Sequence, residues 1–86
     1  MKINLTIPNV KTLKDFEVEY ETFLGGCDYQ GETEIELFGQ KKRLTFTVEI
    51  LNDTTTLYYH IYENEDDEEG AEFVLRDFEF EFEEVR

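Results

Sequence analysis

The stretch Arg43–Leu51, RLTFTVEIL, alternates without a break. Leu44, Phe46, Val48 and Ile50 take every second position, with Thr45, Thr47 and Glu49 between them. A two-residue period sends alternate side chains to opposite faces of an extended strand. This segment therefore commits the chain to a sheet with one apolar and one wet face. The same period recurs upstream in KINLTIP, where Ile3, Leu5 and Ile7 face one way and Asn4 and Thr6 the other. Pro8 ends that ladder because it has no amide to donate. In ETEIELF, Thr33, Ile35 and Leu37 oppose Glu32, Glu34 and Glu36. Leu57–Tyr62, LYYHIY, is apolar or aromatic on both faces, which fits a central strand or one lying under a second layer. GQKK (Gly39–Lys42) and NDT (Asn52–Thr54) read as turns. Near the end, AEFVL and DFEFEFE give one long strand, or two broken at Arg76–Asp77. Turn signals this closely spaced predict an antiparallel meander.

Residues 13–24 read two ways. Phe16, Val18 and Tyr20 alternate with Glu17, Glu19 and Glu21, as in a strand. Yet TLKD (Thr12–Asp15) matches a helix capping box, and Gly25 and Gly26 stand where a helix takes its left-handed cap. Leu13, Phe16, Tyr20, Phe23 and Leu24 share one helical stripe, which Val10 extends. The expected fold is α+β, an antiparallel sheet of about five strands with one N-terminal amphipathic helix packed on it. The alternative is an all-β small barrel or sandwich. A chain of 86 residues is expected to form a single domain, 1–86.

Charge narrows the function. Twenty-two acids against eight bases leave a net charge of −14, and residues 44–86 hold fourteen of those acids and only Arg76 and Arg86 as bases. Such a field repels nucleic acid and anionic membranes and attracts basic proteins. The start of the chain lacks the apolar run of a signal peptide, and no segment approaches the ~20 apolar residues of a membrane helix. Cys27 is the only cysteine, so no internal disulfide forms. A cytoplasmic location is expected. Catalysis is not: serine is absent, His60 is the only histidine, and no local signature makes Cys27 and His60 a nucleophile–base pair. The acidic run ENEDDEEGAEF fails as a calcium loop. Glu68 stands where the turn needs glycine, and Val74 where a bidentate glutamate belongs. No metal or cofactor is expected.

What remains is ordered acid. Glu63, Glu65, Asp66, Asp67, Glu68 and Glu69 crowd one loop. Glu79, Glu81 and Glu83 would form a row at a pitch of about 6.6–6.8 Å, backed by Phe78, Phe80 and Phe82 and followed by Glu84. Neighbouring phosphates along a nucleic-acid strand have a similar spacing. Glu32, Glu34 and Glu36 could build a second row. A surface made only for solubility mixes both signs, and like charges on adjacent strands destabilise a sheet. The acid is therefore expected to face a basic partner, with Tyr58 and Tyr62 as aromatic anchors in the contact.

In size, net charge and acidic stretches such as ENEDDEEG and DFEFEFEE, the whole chain resembles the small acidic inhibitors made by phages and mobile elements. These include anti-CRISPR proteins, anti-restriction proteins and other DNA mimics, which share no single fold. The resemblance implies a non-enzymatic inhibitor acting in the host cytoplasm. It would block the basic nucleic-acid-binding site of a CRISPR effector or restriction nuclease, binding neither nucleic acid nor membrane itself. Two alternatives stay open: an immunity protein or antitoxin that neutralises a basic toxin, and an acidic phage or bacterial structural or assembly protein.

Overall fold

A computed structural model describes residues 1–78 of the chain. Within them seven strands follow one another: β1 (Lys2–Ile7), β2 (Lys11–Glu17), β3 (Glu19–Phe23), β4 (Gly26–Leu37), β5 (Gln40–Leu51), β6 (Thr54–Tyr62) and β7 (Ala71–Arg76). β1 and β2 make a two-stranded sheet, and the others a five-stranded sheet in the order β3-β4-β5-β6-β7. Every neighbouring pair is antiparallel and consecutive in sequence.

Two tight turns set the register of the larger sheet. Leu37 pairs with Gln40 and Leu51 with Thr54, leaving Phe38–Gly39 and Asn52–Asp53 as two-residue connections. All four residues have positive φ, at 52°, 77°, 48° and 67°. That is the type I′ geometry whose twist matches the strands it joins. The turn expected over Gly39–Lys42 thus centres on Phe38–Gly39, and Lys41 and Lys42 belong to β5. The break expected at Arg76–Asp77 is present: β7 stops at Arg76, and Asp77 has φ +52°.

From that register one face becomes the core. Leu44, Phe46 and Val48 of β5 are buried, as are Leu57 and Tyr59 of β6 and Tyr29 and Ile35 of β4. Ile3, Leu5, Ile7 and Leu13 of the small sheet, with Val18, join the same cluster. Side chains buried this completely contribute roughly 1.5–3 kcal/mol each. Gly31 faces Phe46 across the β4–β5 ladder. A Cβ there would lie 2.5 Å from the Phe46 ring and 3.0 Å from that of Phe16, so the glycine is the space those rings occupy.

The expected α+β fold is overturned. No helix occurs among the described residues, and the all-β alternative fits the two antiparallel sheets. Residues 13–24 form β2 and β3, hinged at the buried Val18. The register shifts between Ile3 and Leu5, so that Lys14 and Asp15 stand opposite Asn4 alone. This bulge puts Leu13 and Phe16 on one face, three residues apart, which is also the spacing of a helical stripe. Asp15 takes φ +49°, and its amide donates to Asn4 Oδ1 at 2.9 Å. Gly25, φ +93°, closes the β3–β4 turn in place of a helix cap. The stripe also fails on burial, since Leu24 is fully exposed.

Candidate anionic surface

The core face fixes the opposite face. Residues paired across the ladders share a side of the sheet, and the outer side is arranged in rows. Glu21 of β3, Asp28 of β4 and Glu49 of β5 are direct neighbours in one row, which continues through Thr56 to Arg76. Side chains so placed have Cβ atoms roughly 4.5–5.5 Å apart, so three like charges adjoin with no base between them. Sequence reasoning missed this row, because it joins residues from three strands and exists only once the register is known.

The expected row Glu32, Glu34 and Glu36 is present and exposed on β4. It is not bare. Glu34 pairs across the ladder with Arg43, and Glu36 with Lys41. The Arg43 side chain also comes within 3.6 Å of Glu32 Oε1. The stretch Lys41–Arg43 therefore moderates this row, whereas the triad at the other end of the sheet has no such counterweight.

The acidic loop, residues 63–70, connects β6 to β7. Its order comes from one of its own acids. The amides of Glu63 and Gly70 each donate to the Asp67 carboxylate at 3.0 Å, and that of Glu69 does so at 3.2 Å. The Gly70 amide above all, then those of Glu63 and Glu69, hold the Asp67 carboxyl below its ordinary pKa. Asn64 adds a second brace by accepting from the Asp66 amide at 3.0 Å. Glu63 is tied to Lys42 at 3.0 Å. Among the described residues no ion pair reaches Glu65, Asp66, Glu68 or Glu69, and all four are exposed. Asp67 thus builds the loop and its neighbours present it.

The two tyrosines also lie on the outer side. Tyr62 is engaged within the chain: Arg43 stacks on its ring at 4.1 Å, and its hydroxyl is 3.2 Å from Thr45 Oγ1. Tyr58 is half-buried, with Thr47 and Val74 across from it. Between the β4–β5 hairpin and the acidic loop lies an open notch of about 590 Å³, with Arg43, Tyr62 and Glu63 among its walls. Glu79, Glu81, Glu83 and Glu84 lie outside the described residues.

The remaining chemistry is sparse. His60 Nε2 sits 2.9 Å from Glu72 Oε2 on the outer side. Cys27 is on the core side, facing Ile50. The sheet separates the two, so no nucleophile–base pair forms from them. Among the described residues no group of acids, His or Cys is spaced to hold a metal ion, and no helix is long and apolar enough to cross a membrane. Comparison with protein-family models, curated proteins and solved structures finds no match to this chain.

Proposed function

We propose that the protein is a non-enzymatic inhibitor whose acidic surface occupies the basic nucleic-acid site of a host defence protein. The observation that carries this reading is the acidic loop. Six carboxylates would repel one another into a disordered excursion, yet Asp67 spends its charge on backbone amides and leaves the others displayed. A ligand held in its bound shape loses less entropy on binding. The uncompensated row Glu21, Asp28 and Glu49 extends the same field over the outer sheet. A basic cleft would meet carboxylates where it otherwise meets phosphates, and long-range attraction would speed the encounter.

The experiment is affinity capture by tagged protein from a nuclease-treated lysate, repeated across a salt series and with duplex DNA added. A basic nucleic-acid-binding partner should be retained, released by DNA, and weakened steeply as salt shortens the screening length to about 8 Å at 0.15 M. Changing Glu65, Asp66, Glu68 and Glu69 to their amides, with Asp67 kept, should leave the loop folded. The same change should slow association on the order of a hundredfold at low salt. Recovery of the protein alone, or of a partner indifferent to DNA and salt, would overturn the reading.

A further inference from the structure

Among the described residues six non-glycine positions have positive φ, and five are Asn or Asp: Asn9, Asp15, Asn52, Asp53 and Asp77. Those short polar side chains tolerate the left-handed region. The sixth is Phe38, at φ +52°. A bulky residue there is an outlier. Its side chain is also fully exposed, so no contact within the chain repays the strain. A lone exposed ring is ordinary on protein surfaces. A lone exposed ring in a strained backbone, in a chain that puts Asn or Asp at its other such sites, is not explained by folding. Backbone strain of this kind gathers at binding sites.

The location gives the occupant. Phe38 tips the β4–β5 hairpin, whose last pairs, Ile35–Lys42 to Leu37–Gln40, extend past the end of β6. The root of that arm is fastened to the acidic loop through Lys42 and Glu63. The tip itself is close to neutral, with Glu36 facing Lys41. An apolar ring thus stands on a rigid arm beside a concentrated negative charge. We propose that Phe38 is the apolar anchor of the interface and inserts into a cleft rimmed by basic residues on the partner. The inference rests on the anionic-surface reading and adds the residue that fixes position where the acids supply attraction. Aromatic residues enriched at interface centres, ringed by polar ones, follow the same division.

The test uses the full tagged chain with a benzophenone-bearing phenylalanine at position 38, and separately at position 65, irradiated in lysate with and without duplex DNA. Both positions should capture the same protein, and DNA should abolish both adducts. Phe38→Asn should melt roughly 4 °C higher than the parent, because Asn suits the turn, yet bind the captured protein about thirtyfold more weakly. A gain in stability joined to a loss in binding is what a structural role would not give. Four results count against the proposal. A lower melting temperature for Phe38→Asn makes the ring structural. A covalent dimer from position 38 makes the tip a self-association site. Capture from position 65 alone, or unchanged binding by Phe38→Asn, removes the anchor and leaves the anionic-surface reading standing. Capture from neither position removes both.

Discussion

β5 ends in two turns of the same geometry and opposite chemistry. At one end Asn52 and Asp53 occupy the positive-φ positions, as type I′ turns favour; at the other, Phe38 and Gly39 do. The difference separates what the fold requires from what it merely permits. Asn–Asp satisfies the backbone at both positions. Phe–Gly places all the tolerance in Gly39 and carries at Phe38 a strain of about 1 kcal/mol. A turn selected for folding alone would look like the first. The second sits beside the acidic loop, where a partner is proposed to dock.

The largest effect should come from removing the tolerance of the Phe–Gly turn. Gly39→Val puts a β-branched side chain at φ +77° and should destabilise the protein by about 2 kcal/mol, lowering the melting temperature by roughly 10 °C. Copying the strain to the other turn should do less. Asn52→Phe should cost about 1 kcal/mol, or roughly 5 °C, and leave partner binding unchanged. Neutral results for both Asn52→Phe and Phe38→Asn in thermal unfolding would erase the energetic contrast between the turns. The smallest effect concerns pH. The folded Asp67 pKa lies below its ordinary value, so its contribution to loop order is complete above the ordinary Asp range. That contribution is lost as pH falls through the folded pKa. Asn52 N donates to Gly25 O at 3.1 Å, a bond that does not titrate. Hydrogen exchange on acidification should therefore open the Gly70 amide before that of Asn52. Equal loss at both ends would mean that Asp67 does not hold the loop.

The strands around β5 were legible because period-two patterning and turn residues are local signals. Ile3, Leu5 and Ile7, and Leu44, Phe46 and Val48, are buried as their spacing indicates. Residues 13–24 misled because a bulge and a helix can both bring Leu13 and Phe16 to one face, and because Asp15 and Gly25 serve a bulge and a turn as readily as caps. Only the partner strand, through the amide of Asp15 meeting Asn4, tells them apart. The site was half legible. The acidic loop announces itself as a run of charge. The Glu21–Asp28–Glu49 row and the pairing of Glu34 with Arg43 depend on register, and register is a property of pairs of strands. Phe38 gave a weaker hint, since a Phe–Gly pair between two alternating runs is an unusual filling for a hairpin turn.

The strand order described above also bears on how fast the molecule can form. Each ladder joins consecutive strands, and all but one of the connections spanning them are three residues or shorter. The chain therefore closes small loops one after another and never gathers distant segments before a ladder rewards it. Sheets of low contact order fold ahead of crossed topologies of the same size. The exception is the acidic connection between β6 and β7, the longest closure and the one opposed by its own charge. The segment proposed to meet a partner is thus also the step at which salt should speed folding, by screening the repulsion that closing the loop compresses.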